Sequence, residues 1–142
     1  MDQGADRVRG NAANLDWKAR YEVGHRRIDL EHRAFLDIIQ TVDAEVRGNG
    51  DRNRILRLLN ELRAYAHFHF ISEENIMADY AYPDRFHHAE LHRHLLEQLH
   101  ICVLGFEVGQ EPAEDLLDFL VDWFVNHTTT EDVKIARFMR SL

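Results

Sequence analysis

Apolar residues recur at steps of three and four through most of this chain, the spacing of amphipathic helices that bury one face. Four such stretches stand out. The first, about 29–47, places His32, Phe35, Ile39, Val42 and Val46 on one face. The second, about 51–80, carries Ile55, Leu59, Leu62, Ala66, His69, Glu73, Ile76 and Tyr80. The third, about 84–107, carries His88, His92, Leu95, Leu99, Val103 and Phe106, and the fourth, about 113–140, carries Leu116, Leu120, Trp123 and His127. Breaks at Gly48-Asn49-Gly50, Tyr82-Pro83-Asp84 and Gly109-Gln110-Glu111-Pro112 separate them. No segment alternates strictly enough for a half-buried strand, and no internal repeat is visible. Short connections between four helices predict an all-α fold, an up-down-up-down antiparallel four-helix bundle. Residues 15–28 read as an irregular N-terminal entry segment, with residues 1–14 a flexible arm ahead of a single domain at 15–142.

Histidine enters all four apolar stripes, and a glutamate enters the second, without breaking the period. A buried polar group costs a few kcal/mol unless it is paired, and a buried charge costs more. In an antiparallel bundle the start of the first helix lies level with the end of the second, the start of the third and the end of the fourth. His32, His69, Glu73, His88, His92, His127 and Asp132 then all fall at one end, and convergence on metal satisfies them together. His69–Glu73 and His88–His92 are i, i+4 pairs that share a helix face. His127 and Asp132 are five apart, about 500° of rotation on a regular α-helix, which splays them. The stripe slips by the same single residue, running 116, 120, 123, 127 and resuming at 132, 135, 139. A π-type turn between His127 and Asp132 absorbs that residue, and the β-branched run Thr128-Thr129-Thr130 favours one there.

Composition narrows the chemistry. Seventeen basic against 25 acidic residues give a net charge of −8, which disfavours nucleic-acid binding. Cys102 is the only cysteine, so no intramolecular disulfide forms and no thiolate metal motif exists. Residues 1–14 lack the apolar centre of a secretory leader. Asp118 and Asp122 interrupt the most apolar run, so no membrane span is expected and a cytoplasmic location is the default. Ten histidines is a high count. His25, His67, His87, His94 and His100 lie off the ligand stripe or away from its level and are expected at the surface, with Glu74 facing away from the metal. Seven donors exceed what one zinc takes, and they are too nitrogen-rich for calcium or magnesium. Two metals follow from that count. Imidazole with carboxylate suits iron, and two carboxylates can bridge a pair.

The segments Tyr21-Glu22-Val23-Gly24, Ile28-Asp29-Leu30-Glu31-His32, His69-Phe70-Ile71-Ser72-Glu73-Glu74 with Met77, Tyr82-Pro83 with His88-Ala89-Glu90-Leu91-His92, and Trp123-Phe124-Val125-Asn126-His127 with Asp132 follow one another in order. On these segments the chain resembles the hemerythrin family, its bacterial branch in particular, over about residues 15–140. The resemblance implies two iron ions, one held by His88, His92 and His127, the other by His32 and His69. Glu73 and Asp132 would bridge them beside a solvent-derived oxo or hydroxo bridge, leaving one position open on the two-histidine iron for reversible binding of dioxygen. It also implies an oxygen pocket formed by Phe35, Phe70, Trp123, Phe124 and Thr128. Relatives usually place an apolar residue where this chain has Thr128. The hydroxyl there either hydrogen-bonds the bound oxygen species or admits water and speeds autoxidation, and the second is expected.

Two other function classes compete with oxygen carriage, storage or scavenging. One is an oxygen or redox sensor acting through a partner protein, with residues 1–14 as a conceivable docking segment. The other is a di-iron enzyme consuming peroxide or nitric oxide. Ferritin-like oxidases use carboxylate-rich shells with Glu-x-x-His pairs. An imidazole-rich shell with two carboxylates makes high-valent iron harder to reach, so binding is expected rather than catalysis. A monomer or weak oligomer is expected.

Overall fold

Four helical rods in antiparallel sequence make up the protein, in a computed structural model that describes residues 15–142; the expected arm at 1–14 lies outside the described residues. They are α1 (Arg26–Arg47), α2 (Arg52–Asp79), α3 (Arg85–Glu107) and a fourth rod of three parts. That rod runs as α4 (Ala113–His127), a π-helical turn (Thr128–Asp132) and α5 (Val133–Arg140). α1 packs on α2 and α4, and α3 packs on α2 and α4, closing a four-cornered bundle with no strand among the described residues. No helix of the described residues is long and apolar enough to cross a membrane.

Local chemistry sets the ends. α1 starts at Arg26, three residues ahead of the start expected at 29, because His25 caps it: its ring accepts from the Ile28 amide at 3.3 Å. Asp29, in the first turn, accepts from the amides of Val23 and Gly24 and ties the entry segment to the helix. Gly24 sits at φ +97°, where a side chain would be strained. That segment is not wholly irregular either, since Ala19–Tyr21 forms one 3-10 turn. Asp51 caps α2 through the Arg54 amide at 3.0 Å. Pro112 stands ahead of α4, whose first turn carries Glu114 and Asp115 at the positive end of the helix dipole.

The main core fills the bundle away from the histidines, with Ile39, Val42, Leu59, Leu62, Leu95, Leu99, Leu116 and Leu120 buried together. At the histidine end two small apolar clusters close the bundle. Val23, Ile28, Ile76 and Ala136 form one, and Met77, Tyr82 and Ile135 the other. Ile28, Ile76 and Ile135 each lie about one helical turn beyond a histidine or carboxylate of the stripe. The polar cluster is thus enclosed between a large apolar core and a thin apolar cap.

The π turn lies where the one-residue slip predicts it. Thr129 Oγ1 donates to the Val125 carbonyl at 2.7 Å and Thr130 Oγ1 to the Asn126 carbonyl at 2.5 Å, supplying partners where the regular ladder shifts. His127 and Asp132 are both buried on its inner side, and Ile135 and Ala136 return to the apolar cap.

Leu99 is wholly buried in the main core. Leu99→Ala is expected to lower the stability of the metal-free protein by about 2–5 kcal/mol, read from urea denaturation, while leaving metal stoichiometry unchanged in the folded protein.

Candidate metal centre

All seven side chains expected to ligate metal are buried and brought together. α1 supplies His32, α2 supplies His69 and Glu73, α3 supplies His88 and His92, and the fourth rod supplies His127 and Asp132. They form two groups whose ligand atoms lie within 4.8 Å of one another: Glu73, His88, His92, His127 and Asp132 in one, and His32, His69, Glu73 and Asp132 in the other. Both carboxylates belong to both groups. Glu73 Oε1 lies 2.8 Å from His88 Nε2 and 3.0 Å from His92 Nε2, while its Oε2 lies 3.5 Å from His69 Nε2 and 3.8 Å from His32 Nε2. Asp132 Oδ1 lies 3.1 Å from His88 Nε2 and 3.0 Å from His127 Nε2, and its Oδ2 lies 2.9 Å from His32 Nε2. Each carboxylate therefore gives one oxygen to each half.

Buried polar atoms nearly always find hydrogen-bond partners. Here Glu73 Oε2, both Asp132 oxygens and His92 Nε2 have none, although nitrogens and oxygens stand about 3 Å apart. Of the four carboxylate oxygens only Glu73 Oε1 is hydrogen-bonded, to His88, and the others face imidazole nitrogens with no bond between them. Nitrogen and oxygen donors in this proportion, orphaned together in a dry interior, fit a pair of transition-metal ions.

The electrostatics point the same way. Burial pushes the His32 and His88 imidazoles down, but Asp132 and Glu73 beside them win, and both are raised to about 10. His92 is also raised, against burial, by Glu73 and Glu74. Glu73 and Asp132 would be raised by burial, yet the surrounding imidazoles hold them below the usual carboxylate range. In metal-free protein, protons on the imidazoles thus supply the positive charge that the buried carboxylates require.

Further residues, not singled out by the sequence pattern, hold the ligands from behind. His69 Nδ1 lies 2.7 Å from Glu31 Oε1, and Ser72 Oγ donates to Glu31 Oε2 at 2.7 Å. Arg27 reaches the same oxygen at 3.0 Å, and Tyr65 OH donates to the Glu31 carbonyl at 2.7 Å. Burial raises the Glu31 carboxyl, but hydrogen bonds from His69, Ser72 and Arg27 outweigh it and leave it below its ordinary value. Glu74 does lie outside the converging donors, yet it is not idle: its Oε2 is 2.8 Å from His92 Nδ1. The sequence signal for both glutamates is position: each adjoins a ligand of the apolar stripe, at 31–32 and 73–74, inside the segments that carry the family resemblance. His67, His87, His94 and His100 are exposed, and half-buried His25 serves as a helix cap.

Phe35, Phe70, Trp123, Phe124 and Thr128 all line one void beside the two-histidine half, with His32, His69, His127 and Asp132 completing the wall. Its empty volume is about 160 Å³, spread in gaps none of which admits a water-sized sphere. Phe70 stacks on His92 at 3.9 Å and Trp123 on His127 at 4.3 Å between ring centroids. Phe124 meets His32 edge-on at 5.8 Å. Aromatic surface thus covers the ligand rings on that side.

Fold and site together define a helical-bundle metal protein with two donor sets sharing two carboxylates. Residues 23–138 match the family model described as Hemerythrin HHE cation binding domain. A protein named bacteriohemerythrin from Clostridium acetobutylicum is 28% identical over 122 residues, covering 82% of this chain and 94% of the relative. One of the same name from Methylococcus capsulatus is 30% identical over 105 residues, covering 73% of this chain and 79% of the relative. The crystal structure of wild-type hemerythrin superposes with a TM-score of 0.80 at 26% identity, covering 86% of this chain and 95% of that one. The chain belongs to the hemerythrin family, whose domain implies a non-haem di-iron site.

Metal loading must displace the protons held on His32 and His88, so at pH 7 it is expected to release protons, and affinity is expected to fall as pH falls. Calorimetric titration with metal in two buffers of different ionisation heat measures the release; identical apparent heats would contradict it.

Proposed function

We propose that the chain holds two iron ions joined by a solvent-derived oxo or hydroxo bridge and binds dioxygen reversibly, for carriage, storage or scavenging. The observation that carries this reading is the division of the donors. Glu73 and Asp132 each turn one oxygen to His88, His92 and His127 and the other towards His32 and His69. Three imidazoles would hold one ion and two the other, leaving the two-histidine half with the fewer donors. The dry void lies against that half. Two reduced irons held by these residues would supply the electrons that dioxygen takes up on binding and returns on release.

The surrounding residues have simpler duties. Phe35, Phe70, Trp123 and Phe124 exclude water from the space beside His32 and His69, which slows loss of charge to solvent. Glu73 and Asp132 stay deprotonated among the imidazoles and so remain available as ligands. Thr128 is the polar exception in the lining, 1% exposed on the π turn. An imidazole-rich shell with only two carboxylates favours binding over oxygenation. With one cysteine and no disulfide to form, the chain suits a reducing compartment, and we place it in the cytoplasm.

The test is optical. Protein purified with two irons, reduced without air and then exposed to oxygen should develop a peroxide-to-iron charge-transfer band that disappears on deoxygenation through several cycles. Irreversible bleaching with turnover of peroxide or nitric oxide would replace this reading with an enzyme. Thr128→Ile is expected to slow accumulation of the oxidised, oxygen-free form severalfold, because it removes the one hydroxyl of the lining that could hold an entering water and fills part of the void. Thr128→Val, closer in size, separates the two causes.

A further inference from the structure

One imidazole of the two-histidine half is held from behind and the other is not. His32 Nδ1 is buried without a partner. His69 Nδ1 faces Glu31 Oε1 at 2.7 Å, an oxygen placed to accept, so the nitrogen donates. Glu31 is itself fixed on both sides. Ser72 and Arg27 donate to its other oxygen, and Tyr65 ties down its backbone carbonyl from across the helix pair. The Tyr65 ring also lies parallel to His69, within 2°. The matching arrangement in the three-histidine half is looser, because Glu74 behind His92 has a side chain 38% exposed and must compete with water.

We propose that Glu31 is the positioning residue of the two-histidine half: by accepting from His69 Nδ1 it fixes the tautomer and ring plane that present Nε2 to metal. This rests on reading the cluster as a site for a metal pair. Nε2 must be the unprotonated nitrogen to ligate, and a carboxylate on Nδ1 keeps the proton on the far side of the ring. Because His32 Nδ1 lacks any such partner, Glu31 is the carboxylate that sets a ring from behind in this half. Without that acceptor, either ring nitrogen could carry the proton.

The experiment uses zinc, which is diamagnetic, as the probe ion on metal-stripped protein, with affinities measured against a chromophoric chelator. Wild type is expected to take two equivalents. Glu31→Ala is expected to weaken one of them by about 10–100-fold and leave the other close to wild type. Glu31→Gln, which keeps an acceptor oxygen, is expected to restore most of the loss. ¹⁵N NMR of the zinc-loaded proteins should show the His69 proton on Nδ1 in wild type and Glu31→Gln, and loss of that single state in Glu31→Ala. Circular dichroism of the metal-free variants reports folding. Should Glu31→Ala fold poorly, Ser72→Ala, which frees the carboxylate without removing it, is expected to give a smaller loss at the same equivalent. Wild-type affinity at both equivalents in Glu31→Ala and Ser72→Ala overturns the inference, as does a loss in Glu31→Gln equal to that in Glu31→Ala. If wild-type protein itself takes fewer than two equivalents, the paired centre falls and this inference falls with it.

Discussion

Five imidazoles and two carboxylates lie buried where water cannot reach them, and the rest of the bundle is arranged around that difficulty. Removing such groups from water is costly unless charge and hydrogen bonds are returned to them. Glu31 and Glu74 hold two of the imidazoles from behind, yet several ligand atoms remain without partners. Cations at the two points where those atoms converge meet the need at once. Hydrogen bonds within the cluster do not do so, since Glu73 Oε1 pairs with His88 while Glu73 Oε2 and both Asp132 oxygens stay without partners.

That constraint explains the apolar enclosure. A centre open to solvent would have water as a partner for its unpaired atoms. The main core below and the thin cap of Val23, Ile28, Ile76 and Ala136 above keep it dry, while aromatic rings stack directly on His92 and His127. The tightness of the void at Phe35, Phe70 and Thr128 continues the same enclosure. Stability and chemistry therefore draw on the same packing.

Much of this was readable from the chain because helical periodicity maps sequence onto faces directly. His32, Glu73 and His127 each occupy a position that apolar residues would otherwise hold, so their burial could be inferred. The π turn was legible for the same reason, as a one-residue slip shared by the apolar stripe and the ligand pair. What stayed hidden lies off the stripe. Glu31 and Glu74 sit where exposed carboxylates normally sit, and only the crossing of α1 with α2, and of α2 with α3, gives each a histidine to hold. The early start of α1 was missed because its cap is a histidine ring rather than Ser, Thr, Asp or Asn.

The π turn has one further effect. Past a single extra residue, every later side chain is rotated by roughly 100° about the helix axis. That rotation brings Asp132 in line with His127, and it also carries Ile135 and Ala136 onto the closing apolar clusters. One irregularity in the backbone thus aligns a ligand and seals the lid above it. A chain shortened or lengthened by one residue between 127 and 132 would misplace both, so the length of this short stretch is as constrained as the identity of the residues it connects.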